Sequence, residues 1–315
     1  MKIFLFNLLL CFANAYLSGM TAYTPFYMNC ATIHKSSCIF AVSSNKPSFH
    51  SLYGSLMNHE SPVAVNSYSR IFDKNKNLDE IQVFEPYAVD KNNTQCLLFF
   101  TGVSSVITYD VYSKVLNSMA SKNIAVYIPK FKYNNIDKLI KTLSEEYNEI
   151  IPISHSSGIS SIVEKCSKHK SINRMILLDP VDSRILKNNR LKMKYINKLL
   201  FVIAKKSYDG KPTFIPSYFS LNEDSFHLNR DCNVETIESE DHGHCDILNP
   251  VYSNLMYNSK ICDGNDDRKP STSNEYHKWI ANNVYNFVKG IKTCNGSNVA
   301  SKDESYTMGG DNMEF

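Results

Sequence analysis

A run of small polar residues lies between a buried-strand pattern and a helix pattern in the middle of the chain. The apolar run Ile150–Ile153 is typical of a parallel strand covered on both faces, and Ile159–Cys166 is compatible with a helix. Between them stands Ser-His-Ser-Ser-Gly, residues 154–158. A strand, a sharp turn and a helix with Ser at the apex is the turn that presents the nucleophile in G-x-S-x-G enzymes. The pattern therefore predicts Ser156 as a nucleophile, although Ser154 stands where that motif has its first Gly.

A serine nucleophile needs a base that takes its proton and an acid that orients the base. In open α/β sheets such groups gather at the carboxyl ends of strands. Asp179 directly follows the apolar run Met175–Leu178, and we predict it as the acid. Asp182 is the first alternative, and Asp209, which follows the apolar run Leu199–Ala204, is the second.

Two histidines follow the short strand pattern Val234–Ile237 and are candidates for the base. We predict His244 because it comes after a flexible Gly243, and His242 remains the competitor. His155, beside the nucleophile, points the wrong way in such a turn. For it we expect a packing or hydrogen-bonding role under the loop.

Two backbone N–H groups should stabilise the oxyanion that forms when a serine attacks a carbonyl. The N–H of Ser157 is one candidate, because it comes directly after the nucleophile at the start of a helix. The loop after the strand pattern Cys96–Phe100 should supply the other. Gly102 lets the backbone approach closely there, and we predict the N–H of Val103.

Strand and helix patterns alternate three times around these residues, with short connections, which predicts an α/β fold with a parallel sheet and right-handed crossovers. An antiparallel hairpin is expected at one sheet edge, from the alternating stretches Val63–Arg70 and Ile81–Val89. The stretch Arg184–Tyr195 is basic and irregular, which suggests a surface helix or loop. An amphipathic helix running from Tyr276 to Val288 should end at Gly290.

The N-terminal residues have the pattern of a secretory signal peptide. Lys2 precedes a short apolar run, Ile3–Phe12, and Ala13-Asn14-Ala15 is a cleavage signal. We predict a signal peptide at 1–15, one domain at 16–294 and a disordered polar tail at 295–315. The mature protein should therefore be secreted or lie in the lumen of the secretory pathway.

Cysteine usage and charge restrict the partners of such a protein. Eight cysteines remain after the predicted leader, and an even number in an oxidising compartment favours disulfides. Asn92 and Asn295 begin glycosylation sequences. The net charge of +3 is too weak to indicate nucleic-acid binding, and no later segment is apolar enough for a stable membrane span. No metal or cofactor is implied, and the sequence does not determine the oligomeric state.

Five segments resemble the chlorophyllase-like branch of the α/β hydrolases and, more distantly, the platelet-activating-factor acetylhydrolases. The resemblance extends over about residues 63–290, and its segments are Leu97–Val103, Ile124–Pro129, Ser154–Gly158, Leu177–Ser183 and Gly243–Leu248. Three positions depart from the family. Ser154 stands where the family has Gly, Ser157 where it has Arg or a similar residue, and Thr101 where it has His.

The resemblance implies an α/β-hydrolase fold and a Ser-Asp-His triad of Ser156, Asp179 and His244. These are the residues that the strand-end argument selects, in the chain order of such triads. A serine esterase acting on a small-molecule or lipid ester is the expected function. An inactive binding or structural protein on the same fold is the alternative, because the departures touch the active site.

Overall fold

The computed structural model describes residues 64–71, 80–87, 90–91, 94–102, 107–130, 135–182, 191–208, 221–259 and 270–291. Several predictions from the sequence fall outside this part of the chain. They are the signal peptide at 1–15, the tail at 295–315, the oxyanion candidate Val103, the alternative acid Asp209, and the glycosylation candidates Asn92 and Asn295.

The described residues form an eight-stranded mixed sheet and a separate two-stranded one. The strands are β1 (Val65–Ile71), β2 (Glu80–Pro86), β3 (Gln95–Phe100), β4 (Ala125–Pro129), β5 (Glu149–His155), β6 (Arg174–Leu178), β7 (Leu191–Met193), β8 (Lys198–Ala204), β9 (Phe226–Leu228) and β10 (Asn233–Ser239). The order in the large sheet is β1-β2-β4-β3-β5-β6-β8-β10. The pairs β1–β2 and β2–β4 are antiparallel, and all other neighbours in this sheet are parallel.

Five α-helices accompany the sheet in the described residues: α1 (Ser113–Ala120), α2 (Ile136–Glu146), α3 (Ile159–Lys165), α4 (Pro250–Asn258) and α5 (Pro270–Lys289). Short 3-10 helices precede two of them, Tyr109–Tyr112 before α1 and Ser156–Gly158 before α3. The fold is therefore of the α/β class, with a mostly parallel sheet flanked by helices. No helix in these ranges is both long and apolar enough to cross a membrane.

Alternation along the buried strands sends side chains into two apolar layers, one on each face of the sheet. In β3, Leu97 and Phe99 pack with α1, α4 and α5 on one face, whereas Cys96, Leu98 and Phe100 pack with α2 and α3 on the other. Full burial of one such side chain stabilises the fold by about 1.5–3 kcal/mol. Burial on both faces explains why the central strands are continuous apolar runs.

The hairpin prediction is confirmed, since β1 and β2 pair antiparallel at the edge of the sheet. The interpretation of 184–195 as a surface helix or loop was wrong for Leu191–Met193, which forms β7 and pairs with β9. The side chains of Leu191 and Met193 are buried, and three residues are too few for a strand pattern to be recognised. Gly290, at φ +70°, ends α5 as expected.

Candidate active site

The predicted nucleophile lies on a sharp turn at the carboxyl end of the central strand β5. Ser156 has φ of 54°, in the left-handed region. This conformation costs an L residue other than Gly roughly 1–2 kcal/mol. A Cβ atom at Gly158 would lie 2.6 Å from the Phe100 carbonyl oxygen and 2.7 Å from that of Thr101. Only Gly therefore fits at position 158, where the helix after the turn crosses the end of β3.

The first small residue of the turn, Ser154, is fully buried in β5. Its Oγ has no hydrogen-bond partner among the described residues. A buried hydroxyl without a partner destabilises a fold by about 1–3 kcal/mol. Ser154 therefore fits in volume where the G-x-S-x-G motif has Gly, but its hydroxyl contributes no interaction that would explain its presence.

The predicted acid lies directly beyond β6 and is also in the left-handed region, with φ of 41° for Asp179. Its backbone N–H donates to the carbonyl of Val202 at 2.7 Å. Its Oδ1 accepts from the N–H of Ala204 at 3.1 Å, and its Oδ2 lies 2.5 Å from Nδ1 of His244. Hydrogen bonds to the neighbouring strand β8 thus orient the carboxylate that binds His244.

The predicted base connects the acid to the nucleophile. On the other side of its ring, Nε2 of His244 lies 2.9 Å from Oγ of Ser156. Because Nδ1 donates to the Asp179 carboxylate, Nε2 of the neutral ring accepts from the serine hydroxyl. Asp179, His244 and Ser156 therefore form one hydrogen-bonded chain, and all three residues are buried.

Burial by itself would raise the pKa of Asp179. The hydrogen bond and charge of His244, together with the N–H of Ala204, outweigh it and hold the pKa below its ordinary value. The carboxylate is therefore ionised when the histidine is protonated, which is the condition under which it stabilises an imidazolium.

A buried carboxylate holds the loop that carries His244. Oδ2 of Asp246 accepts from the N–H of Gly243 at 2.8 Å, and its Oδ1 accepts from the hydroxyl of Ser253 at 3.0 Å. Ser253 belongs to α4, so this helix supports the turn at Gly243-His244. Asp246 was not predicted as a site residue. It lies three residues after Gly243, a spacing at which an Asp side chain can accept from the backbone N–H at the start of the same turn.

The alternative candidates lie elsewhere or have other partners. Asp182 accepts from the hydroxyl of Ser160 at 3.4 Å. His242 is paired through Nδ1 with the hydroxyl of Ser239 at 2.7 Å and stacks on the ring of Tyr276. The structure thus selects Asp179 and His244 as the partners of Ser156 among the described candidates.

Two further side chains beneath the nucleophile were not predicted as a pair. The hydroxyl of Tyr112 lies 2.8 Å from Nδ1 of His155, and Nε2 of His155 lies 3.0 Å from the carbonyl oxygen of His244. The N–H of Gly102 donates to the Tyr112 hydroxyl at 3.1 Å. The expected hydrogen-bonding role of His155 is confirmed. No sequence signal indicates Tyr112, because it contacts His155 across 43 positions of the chain.

Of the two predicted oxyanion donors, Ser157 directly follows the nucleophile in the 3-10 helix, and Val103 lies outside the described residues. Within the described ranges, no cluster of His, Cys, Asp and Glu has the composition of a metal site. Cys96, Cys166 and Cys232 are free thiols, whereas Cys245 is disulfide-bonded.

No family model matches the chain, and no curated protein is significantly similar to it.

Proposed function

We propose that this protein is a secreted serine hydrolase of the α/β-hydrolase fold that cleaves carboxylic esters. The observation that carries the proposal is the hydrogen-bonded chain from Asp179 through His244 to Ser156. Nucleophilic catalysis by serine requires a base within hydrogen-bond reach and a third group that orients the base. Both requirements are met by geometry alone.

The fold supports the same assignment. The three residues follow β5, β6 and β10, which run parallel, so their carboxyl ends lie at one edge of the sheet. A serine at a left-handed turn between a strand and a helix is the arrangement of the α/β-hydrolase nucleophile. The antiparallel edge formed by β1 and β2 agrees with the expected fold.

Acylation would begin with the hydroxyl of Ser156 donating its proton to Nε2 of His244. As the proton moves, Oγ forms a bond to the carbonyl carbon of the ester, and the carbonyl electrons move to its oxygen. The ionised Asp179 stabilises the imidazolium so formed. The backbone N–H groups of Ser157 and Val103 are the proposed donors to the oxyanion.

Collapse of this intermediate would break the bond between the carbonyl carbon and the alcohol oxygen. The imidazolium of His244 gives its proton to the leaving alcohol, and an acyl ester remains on Ser156. A water molecule then donates a proton to Nε2 and attacks the acyl carbon. Return of the proton to Oγ releases the carboxylic acid and regenerates the chain of hydrogen bonds.

Hydrolysis of a p-nitrophenyl ester series, from acetyl to long acyl chains, tests the proposal. The full-length protein secreted from a eukaryotic host should release nitrophenol in a burst followed by steady turnover. Ser156→Ala should reduce the rate by about 10⁴-fold or more while the protein remains folded. Equal rates for the wild type and this variant would contradict the proposed nucleophile.

One observation favours an inactive binding protein on the same fold. Ser156 is only 8% exposed, although a substrate carbonyl has to reach its Oγ. Incubating the folded protein with a small fluorophosphonate distinguishes the two functions. A protein that has lost catalysis through a closed site should not be labelled by even the smallest reagent, whereas a hydrolase should be labelled at Ser156.

A further inference from the structure

We propose that Tyr112 and His155 are positioning residues that hold the base His244 and the turn at Gly102 in register, a role that rests on the proposed hydrolase function. The hydrogen bonds of these two side chains go to groups other than Oγ of Ser156 and the ring nitrogens of His244. Together they form a bridge, the Tyr112–His155 bridge, which joins the loop after β3, the nucleophile turn and the histidine loop.

The donors and acceptors of the bridge can be assigned from chemistry. The carbonyl oxygen of His244 can only accept, so Nε2 of His155 carries a hydrogen and donates to it. In the neutral ring Nδ1 then accepts, and the Tyr112 hydroxyl donates to it. The same hydroxyl oxygen accepts from the N–H of Gly102. The bridge is thus a directional chain of three hydrogen bonds.

The surroundings keep both side chains in these protonation states. Burial and the neighbouring His244 lower the pKa of His155 to about 3, so its ring is neutral at physiological pH. Burial raises the pKa of Tyr112, so its hydroxyl keeps its proton. A neutral His155 also matters for catalysis, because its ring centroid lies 4.7 Å from that of His244, which becomes a cation during the reaction.

The bridge has consequences at both of its ends. At one end, the carbonyl of His244 belongs to the residue whose ring must stay 2.9 Å from Oγ of Ser156. At the other end, a Cβ atom at Gly102 would lie 3.0 Å from the Tyr112 hydroxyl and 3.4 Å from Cβ of Ser156. The hydroxyl therefore packs directly against the backbone that leads to the proposed oxyanion donor.

A second set of hydrogen bonds joins the start of α1 to the chain after the histidine loop, independently of the Tyr112–His155 bridge. The side chain of Asn249, just after the histidine loop, accepts from the N–H of Lys114 at 3.1 Å and donates to the hydroxyl of Ser113 at 2.9 Å. The start of α1, which follows Tyr112, is therefore already attached to the histidine loop. Loss of the bridge should disturb the site locally and leave this packing intact.

Four variants test the bridge. His155→Gln keeps a donor near the Nε2 position, whereas His155→Asn reaches only to the Nδ1 position and leaves the His244 carbonyl without its donor. Tyr112→Phe removes the hydroxyl. Tyr127→Phe is the matched control, because it removes a buried hydroxyl that is hydrogen-bonded to Tyr147 on the opposite face of the sheet.

We expect Tyr112→Phe and His155→Asn to lower kcat for an ester about tenfold or more with KM unchanged, since each loses at least one buried hydrogen bond. His155→Gln should lose less kcat than His155→Asn, because it keeps the donor to the His244 carbonyl, and Tyr127→Phe should lower Tm without changing kcat. Amide hydrogen exchange at Gly102 should accelerate in Tyr112→Phe. The downfield proton resonance of Nδ1–H in His244 should broaden in His155→Asn and stay sharp in His155→Gln.

Unchanged kcat, exchange and resonance in Tyr112→Phe and His155→Asn would overturn the inference while leaving the hydrolase intact. Equal losses in His155→Gln and His155→Asn would assign the role to ring packing and would also overturn it. A wild-type protein that neither turns over esters nor reacts with a fluorophosphonate would instead contradict the proposed function. In that case the exchange and resonance measurements, which need no activity, still decide whether the bridge holds His244.

Discussion

The two ends of the parallel sheet differ in how their polar groups are used. At the carboxyl ends, Ser156 and Asp179 both adopt left-handed backbone conformations and are buried. At the amino ends, Arg174 forms a two-pronged ion pair with Glu149, including Nε to Oε1 at 2.7 Å. Its guanidinium also donates to the last carbonyls of α5 at Phe287 and Val288. One end thus has two polar residues in left-handed conformations, and the other has an ion pair that is also hydrogen-bonded to a helix end.

The amino end also has an open cavity of about 520 Å³. It is lined by the first residues of four strands and by polar residues just before those strands: Gln95, Glu149, Arg174 and Lys198, with Asn148, Ser171, Asn173 and Asn197. Asn123, which precedes β4 at this end, has φ of 62°, but Asn adopts this conformation readily. Asp tolerates it almost as well, so among the described residues Ser156, at the proposed catalytic end, is the one left-handed residue of an unfavourable type. Such strain persists only where surrounding contacts enforce it.

The largest expected effect is at the carboxyl end. Asp179→Asn keeps the size of the side chain but removes the charge that orients and stabilises protonated His244. We expect kcat to fall about 10³–10⁴-fold, measured by ester hydrolysis. Circular dichroism should show an intact fold, and a decrease of less than tenfold would argue against Asp179 as the acid.

At the amino end we expect the opposite pattern. Glu149→Gln leaves the partly buried Arg174 without its counter-charge, which should lower the free energy of unfolding by about 1–3 kcal/mol. Activity at a temperature where the variant is folded should stay within twofold. Urea unfolding with parallel kinetics checks both statements, and a large loss of kcat at constant fold would break the contrast between the two ends.

Buried neutral histidines should make the protein sensitive to acid. Burial lowers the pKa of His277 to about 4, whereas the unfolded value is about 6.5. The unfolded state therefore binds more protons as the pH falls below 6.5, and stability is lost over that range. His277→Phe should remove about 1 kcal/mol of the loss between pH 6 and pH 5. Chemical unfolding of both proteins at the two pH values measures the difference, and equal losses would contradict it.

The smallest expected effect concerns the departure from the G-x-S-x-G motif. Ser154→Ala removes a buried hydroxyl without a described partner and should raise the free energy of unfolding by about 0.5–1 kcal/mol. Turnover should remain within twofold, because the atom removed is not hydrogen-bonded to Ser156 or His244. A strong loss of turnover would show that the altered first position has its own role in the site.

The elements that the sequence predicts well are those with strong local patterns. β3 and β5 are continuous apolar runs, and the face of α2 follows the helical period, so their burial could be predicted. β7 and β9 have three residues each and pair only through the tertiary fold. The helix α4 was missed because its apolar residues are not gathered on one face.

The residues of the candidate site also fall into a predictable group and an unpredictable one. Ser156, Asp179 and His244 each follow a recognisable strand, so a rule about strand ends brings them together. Tyr112 acts through a contact that depends on how separate loops meet, which no spacing in the sequence encodes, whereas Asp246 lies only three residues from the Gly243 N–H that it accepts. His244 is hydrogen-bonded to Ser156 and Asp179, whereas His242 is paired with Ser239.

The central claim is that Ser156 is an activated nucleophile. Its most direct test is labelling of the folded, disulfide-bonded protein with a small fluorophosphonate, followed by intact-mass and peptide analysis. We expect one adduct per chain, at Ser156, that forms much more slowly in Asp179→Asn and is absent in Ser156→Ala. Folded wild-type protein that forms no adduct, or an adduct at another residue, would contradict it.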